Sequence, residues 1–427
     1  MKLAINGAKP VRQKTYPRWP EVDESDERSV MSVVRSGNWW LYAYSKEEFA
    51  TSGEGCSQVV AFENEFAKMH NSKHAYTVSS GTGALEIACR AIGLEPGDEV
   101  ITTPYTFVAT SSCILNAGAI PVYVDIEPDT YNLNPDLVED AVTDRTRAII
   151  PVHFGGIFAD MEKLRKIAKK HRLKIIEDAA HSHGASLKGN QWAGTLGDIG
   201  IFSLQESKLL TAGEGGVITT NDEELAELSW SLRHCGRLRE GKWYEHSRVG
   251  WNYRMTELQG ALLMSQLKKL PMQNERRRAN ARILYRELTA VPGVQMNRQR
   301  PATEHDVYYL FCLRYDPERW DGISRLKVVQ ALNAEGIPIS EGYNFPLYEN
   351  PLFRNVKFNK PGSVYLTDRA RPIRDYRTYR ESCPVAERAC RIESMWIAQN
   401  LLLGSEDDTR DIVRAFERVY ANRSELR

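Results

Sequence analysis

Length, composition and charge set the first limits on this chain of 427 residues, which is long enough for a large core and two or three domains. Its 56 basic and 56 acidic residues balance, so the charge does not indicate nucleic acid or an anionic membrane as a partner. We find neither a signal-peptide core nor an apolar stretch of membrane-spanning length. Seven scattered cysteines without a C-x-x-C pair predict reduced thiols, a cytoplasmic location and no metal site.

The first 220 residues predict an arm followed by an α/β domain. Residues 1–30 are expected to form an extended arm and the start of the first helix, because Pro10, Pro17 and Pro20 disfavour regular structure. Short apolar runs then alternate with helical stretches or tight turns, which predicts a mainly parallel sheet covered on both faces. Ligands of such sheets bind at the carboxyl ends of the strands. The predicted strands are Ala75–Ser79, Glu99–Thr103, Ile120–Val124, Ala148–Val152, Leu173–Ile176, Ile199–Leu204 and Gly216–Thr220.

The remaining sequence predicts a long helix and a smaller α+β domain. Met255–Leu270 and its charged continuation are expected to form one connecting helix. The domains are therefore predicted as the arm at 1–30, a large domain at 31–285 and a small domain at 286–427. Residues 336–385 have little periodicity and are expected to form a long loop over the site or against a partner chain. The predicted elements of the small domain are strands Val294–Met296 and Val307–Tyr315 and helices Ser324–Glu335 and Glu406–Tyr420.

Lys208 and Asp178 are the most informative candidates for chemistry. Asp178 closes an apolar run, where a carboxylate is costly to bury without a cationic partner, although it could also be a helix N-cap. Lys208 precedes the glycine-rich turn Gly213–Gly216, a position that is commonly a solvated surface. The combination suggests pyridoxal 5′-phosphate. The amine would bond to the aldehyde, and the carboxylate would keep the pyridine nitrogen protonated.

Four further features follow strands of the predicted sheet. Ser79–Gly83 opens a helix with small residues and free N–H groups that suit a phosphate, although a tight turn explains it equally well. Phe107 could stack on a flat ring or be an ordinary core residue. His181 follows Asp178 by three residues and could reach a ring hydroxyl, or it could be a plain loop histidine. The hydroxyl of Ser203 could reach the phosphate.

The order and spacing of these features resemble the DegT/StrS-type sugar aminotransferases, which have the aspartate-aminotransferase fold (PLP fold type I). The resemblance implies that Lys208 bonds to the cofactor, that Asp178 pairs with the pyridine nitrogen and that His181 lies beside the ring hydroxyl. A lysine at position 208, where dehydratases of this superfamily have histidine, favours transamination. The segments that carry the resemblance are 79–83, 177–184, 202–216 and 250–257.

The same resemblance implies a binding site shared between two subunits. Gly81, Thr82 and Ser203 would bind the phosphate, and Phe107 would stack on the ring where relatives often have tryptophan. Asn252 would reach the phosphate of the neighbouring subunit, because the family is built as a homodimer with shared active sites.

The substrate is less well defined by the sequence. Segments 346–353 and 383–389 are similar to glutamine-dependent inosose aminotransferases, whereas 178–184 and 234–237 are equally similar to aminohydroxybenzoate synthases. The resulting hypothesis is a PLP-dependent aminotransferase that transfers an amino group from glutamine or glutamate to a keto cyclitol or ketosugar, in antibiotic or sugar biosynthesis.

Several alternatives stay open at this point. They are an aminohydroxybenzoate synthase, a ketosugar dehydratase, an enzyme for nucleotide-linked ketosugars, and a non-catalytic sensor that keeps the fold. An aromatic group near the N-terminus could line a sugar or cyclitol pocket or could only anchor its loop. Its members are Trp39, Trp40, Tyr42 and Tyr44.

Overall fold

The computed structural model describes residues 2–43, 56–242, 244–354 and 376–427. The strands are β1 (His74–Val78), β2 (Glu99–Thr102), β3 (Ile120–Tyr123), β4 (Thr146–Ile150), β5 (Lys174–Asp178), β6 (Ser186–Leu187), β7 (Gln191–Trp192), β8 (Ile199–Ser203), β9 (Gly216–Thr220), β10 (Val294–Met296), β11 (Thr303–His305), β12 (Leu310–Tyr315), β13 (Ile339–Ser340) and β14 (Ser394–Ala398). The helices of eight or more residues are α1 (Glu24–Ser36), α2 (Gln58–Met69), α3 (Gly81–Ala91), α4 (Ala109–Asn116), α5 (Met161–His171), α6 (Glu223–Arg233), α7 (Glu257–Glu287), α8 (Arg325–Ala334) and α9 (Glu406–Ala421).

The central sheet has seven strands in the order β1-β9-β8-β5-β4-β2-β3. Strand β9 runs antiparallel to β1 and β8, and the other strand pairs of this sheet are parallel. The prediction of seven strands in a mainly parallel sheet is confirmed. Strand β5 continues two residues beyond the predicted end, because Glu177 and Asp178 are buried despite their charge and the Asp178 N–H donates to the Pro151 carbonyl.

The long connecting helix is also confirmed, and it joins the two halves of the molecule. A reciprocal cap between Thr256 and Gln259 begins helix α7. Lys269 in this helix pairs with Asp26 of α1 at 2.5 Å. Further along, the Asn280 amide donates to two backbone carbonyls in the turn after β14. The helix therefore ties α1 and the C-terminal sheet to the central sheet.

The second sheet is antiparallel, with the order β10-β12-β14-β13, and packs with α8 and α9. The predicted strand at Val307–Tyr315 begins only at Leu310, because Tyr309 donates its N–H to the Gly155 carbonyl of the first domain. The N-terminal arm packs on this layer, where Leu3 is buried in the core and Arg12 pairs with Asp408 at 2.7 Å. The predicted domain bounds stay predictions.

The expectation of one long loop at 336–385 is wrong for the part that the structure describes. Strand β13 and short helices at 351–354, 379–382 and 384–388 lie in it, and 355–375 fall outside the described residues. The ring of Tyr123 packs against Tyr348 and Tyr379, which buries this segment on the edge of the central sheet. Within the described ranges, no helix is long and apolar enough to cross a membrane.

Candidate active site

A cavity of about 470 Å³ lies where several strands of the central sheet end. The turns after β1, β2, β5 and β8 line it, and Tyr309 closes one side from the segment before β12. This position follows from the parallel topology, since the carboxyl ends of parallel strands meet at one edge. The predicted site residues that the structure brings together here are Gly81, Thr82, Phe107, Asp178, His181, Ser203 and Lys208.

Asp178 presents a buried carboxylate to this cavity. Its Oδ2 accepts a hydrogen bond from the Thr110 hydroxyl at 2.9 Å, and its Oδ1 accepts one from the Ala180 N–H at 3.2 Å. Burial raises the pKa of Asp178, an effect that these hydrogen bonds and the charge of Lys208 partly oppose. A turn, not a helix, follows at 180–184, so the N-cap interpretation does not apply. A cation in the cavity would therefore be strongly attracted to this group.

Lys208 lies in the turn after β8, with its backbone N–H donating to the Gln205 carbonyl at 2.9 Å. Its side chain extends inward, and burial lowers the pKa of the amine to about 8, with the negative charge of Asp178 acting in the opposite direction. The interpretation as a solvated surface lysine is therefore wrong. An amine with this pKa is partly unprotonated near neutral pH, which is the form that reacts with carbonyl groups.

The start of α3 forms a pocket for an anion. The Ser80 side chain accepts the N–H of Gly83, whereas the N–H groups of Gly81 and Thr82 have no acceptor among the described residues. Ser203, at the end of β8, lies directly opposite, and a Cβ at position 81 would approach the Ser203 Cβ to 2.8 Å. Glycine is therefore required at position 81, and free N–H groups at a helix start favour phosphate.

His181 has a defined tautomer in this arrangement. The Gly155 N–H donates to its Nδ1 at 3.2 Å, and burial lowers the pKa of His181 well below its usual range, so the ring is neutral. The single proton of the neutral ring is therefore on Nε2. Since His181 lines the cavity, this N–H can donate to an oxygen of a bound ring.

Phe107 lines the cavity, and 60% of its surface is exposed. Its ring face is therefore accessible for stacking on a flat ring. Asn252 is exposed, pairs by backbone with His234 and is not among the residues that line the cavity of its own chain. Of the aromatic group near the N-terminus, the described members Trp39, Trp40 and Tyr42 do not line that cavity. The ring of Tyr42 stacks on that of His234, with 4.0 Å between the ring centres. Tyr44 lies outside the described residues.

Sequence reasoning did not find three residues of the site. Thr110 holds Asp178, Gly155 holds His181, and Tyr309 lies against Lys208. A signal existed for Gly155, because two consecutive glycines follow strand β4 at the edge where ligands bind, and both adopt positive φ. Neither Thr110 nor Tyr309 belongs to a local motif, so only the folded chain places them.

The comparison with known proteins gives the family. The profile of the DegT/DnrJ/EryC1/StrS aminotransferase family matches residues 42–401. The chain belongs to this family. It is similar to the L-glutamine:2-deoxy-scyllo-inosose aminotransferase of Micromonospora echinospora, with 36% identity over 441 residues that cover 100% of this chain and 99% of the relative. The predicted family and the prediction of an aminotransferase are thereby confirmed.

Solved structures share the fold of this chain. The crystal structure of 3-amino-5-hydroxybenzoic acid (AHBA) synthase matches with a TM-score of 0.83 and 31% identity, covering 97% of this chain and 100% of that chain. The aminotransferase from Psychrobacter cryohalolentis matches with a TM-score of 0.81 and 30% identity, covering 95% and 99%. The predicted PLP fold type I is therefore confirmed.

Proposed function

We propose that this aminotransferase uses pyridoxal 5′-phosphate to transfer an amino group from glutamine, or glutamate, to the ketone of a cyclitol. The observation that carries the proposal is the pairing of Asp178 and Lys208 in one cavity, a buried carboxylate and an amine of lowered pKa. Relatives known as L-glutamine:2-deoxy-scyllo-inosose aminotransferases, which are 34–36% identical to this chain, support glutamine as the donor and a cyclitol as the acceptor.

The residues of the cavity fit this cofactor. Asp178 would hold the protonated pyridine nitrogen, which supplies the cation that the buried carboxylate lacks. The phosphate would take the free N–H groups at the start of α3 and the hydroxyl of Ser203. His181 would donate from Nε2 to the ring oxygen, and the exposed face of Phe107 would stack on the ring.

The chain's own groups supply positioning and proton transfer. When bound, the cofactor supplies an aldehyde that takes up the amino group and a ring that withdraws electrons from the reacting carbon. Lys208 would carry protons at Nζ between the two carbons involved, because its pKa of about 8 allows both release and uptake near neutral pH. Asp178 would keep a proton on the ring nitrogen, and His181 would hold the ring in one orientation.

The charges of the cavity disfavour an acceptor that carries phosphate groups. Among its described lining residues, Lys208 is the one cation, while Asp178 and Glu214 are carboxylates. A nucleotide-linked sugar would bring a diphosphate that needs cations of its own. Gln205 and Ser207 offer neutral hydrogen-bonding groups that suit the hydroxyls of a cyclitol. Formation of an aminohydroxybenzoate is a second candidate, favoured by the similarity to AHBA synthase.

The test follows the two halves of the reaction separately with purified holoenzyme. Glutamine should bleach the visible absorbance band of the cofactor and yield its 2-oxo acid. An inosose should then restore the band and appear as an amine by mass spectrometry. Recovery only with a nucleotide-linked ketosugar would overturn the acceptor assignment, and a deoxygenated product would indicate a dehydratase. A band that no amino acid bleaches would indicate a sensor.

We also propose a homodimer in which Asn252 completes the site of the partner subunit. This residue lies exposed in the turn before α7, outside its own cavity, and Val249 beside it is 81% exposed. An isologous dimer would place two copies of this turn at two equivalent sites. Neither chain alone would then bind the phosphate fully.

Mixing two inactive variants tests the shared site. Lys208→Ala and Asn252→Ala chains that exchange freely should regain about a quarter of wild-type activity, since half the dimers are mixed and each has one intact site. The matched control mixes Lys208→Ala with Asp178→Asn. Both of these residues lie in one cavity of one chain, so no intact site can form. Absence of recovery in the first mixture, with mixed dimers confirmed by mass, would assign Asn252 to its own subunit or to no site.

A further inference from the structure

Tyr309 makes four contacts that connect the catalytic turn to the rest of the site. The Nζ of Lys208 lies 4.3 Å from the centre of its ring, and the ring of His181 lies 4.2 Å away, tilted by 31°. Its hydroxyl pairs with the Ser207 hydroxyl at 2.9 Å. Its backbone N–H donates to Gly155, whose own N–H donates to His181. One residue of the segment before β12 therefore contacts both Lys208 and His181.

The amine of Lys208 has few other fixed neighbours. Its Nζ donates no hydrogen bond to a described residue, and its turn is anchored by backbone bonds such as that from Lys208 to Gln205. An ammonium is attracted to the face of an aromatic ring within about 6 Å of the centroid, and more strongly when water is excluded. The contact with Tyr309 meets the distance condition, and the lysine side chain is only partly exposed.

We propose that Tyr309 is a positioning residue, whose ring face holds the side-chain amine of Lys208 over the cavity while its hydroxyl fixes the turn through Ser207. The catalytic consequence of this proposal rests on the proposed function, in which Lys208 carries out the proton transfer. Its structural part concerns only this chain. It assigns two separable tasks to one side chain, and different substitutions remove each of them.

Other charged and titratable groups around the Lys208 amine also influence its pKa. Asp178 attracts the ammonium, and Glu214 lines the same cavity. His181 and His183 are neutral, because burial lowers the pKa of each ring well below its usual range. Replacement of Tyr309 removes none of these four groups, and Tyr309→Phe keeps the ring that packs on His181. A change in the pKa of Lys208 would therefore report the loss of the ring face.

The experiment compares Tyr309→Leu, Tyr309→Phe and Ser207→Ala in the full-length, cofactor-free chain. Competitive acetylation with acetic anhydride over a range of pH, read by mass spectrometry of the Lys208 peptide, gives the pKa of this amine without any turnover. Tyr309→Leu should lower that pKa by about one unit, because an attraction for the ammonium is lost. Tyr309→Phe and Ser207→Ala should leave it unchanged.

Activity of the holoenzymes gives the second readout. Tyr309→Leu should lower kcat by roughly 10- to 100-fold with little change in KM, because the misplaced amine transfers protons slowly. Tyr309→Phe should lose less than about fivefold in kcat, since it removes only the hydrogen bond between the hydroxyls of Tyr309 and Ser207.

The proposal is overturned if the pKa of Lys208, measured by acetylation, is the same in Tyr309→Leu as in Tyr309→Phe. If the leucine variant fails to fold, Tyr309→Met, which fills similar space without an aromatic face, takes its place with the same expected shift. Failure of the proposed function would leave the labelling result intact, because acetylation requires neither glutamine nor an acceptor. The two failures are therefore distinguishable.

Discussion

Lys208→Ala should lower steady-state transamination by about four orders of magnitude, the upper range for loss of a positioned acid–base group. The variant should still fold, and bind cofactor without a covalent bond, because the pocket for the phosphate and Asp178 do not depend on this side chain. The measurement is turnover of glutamine with an acceptor ketone, together with the visible absorbance band of the bound cofactor. Lys188→Ala is the matched control, since this lysine is exposed and is not among the residues that line the cavity.

The stability of the same variant separates a catalytic loss from unfolding. Burial lowers the pKa of Lys208 from 10.5 to about 8, so the unfolded chain binds this proton more tightly than the folded chain. The buried amine therefore costs folding free energy in full below about pH 8, and the cost disappears as the pH rises from 8 to 10.5. Removal of the amine should leave the cofactor-free chain at least as stable near pH 7. Turnover retained by Lys208→Ala would make the assignment of this lysine wrong.

Asp178→Asn should lower the rate by about three orders of magnitude, comparable to the loss of a major electrostatic contact in an active site. An amide has nearly the same shape but cannot hold the ring nitrogen protonated. One charge-assisted hydrogen bond is worth roughly 1.5–3 kcal/mol, so the Kd for the cofactor should rise by about 10- to 100-fold. The decisive measurement is kcat at saturating cofactor, where weaker binding no longer matters.

Thr110→Val provides a graded comparison for this prediction. It removes the hydrogen bond of 2.9 Å to the Asp178 carboxylate but leaves the charge in place. We expect a loss of about tenfold in rate, since one neutral donor to a charged acceptor is removed. Full recovery of Asp178→Asn with excess cofactor would reduce Asp178 to a structural role. A loss in Thr110→Val as large as in Asp178→Asn would indicate that orientation, not charge, is essential.

The fold and the core of the site were predictable because short, continuous stretches of the sequence indicate them. Each strand of the central sheet is a short apolar run, and the residues that follow these runs are brought to one edge by parallel topology alone. Lys208 and Asp178, the residues proposed to carry the chemistry, follow or close two of these strands. The phosphate pocket at the start of α3 could also be predicted, since small residues at the beginning of a helix are compatible with a bound phosphate.

What only the tertiary structure decided is how these groups are held. Tyr309 follows Lys208 by about a hundred residues in sequence, yet its ring lies 4.3 Å from the amine, because the small antiparallel sheet packs its leading segment onto Gly155. The tautomer of His181 depends on a backbone N–H from a different strand connection. Such contacts arise from the packing of elements distant in sequence, and no local pattern of residue types encodes them. The sequence alone predicted which groups would carry the chemistry, whereas packing decided their surroundings and hence their protonation and orientation.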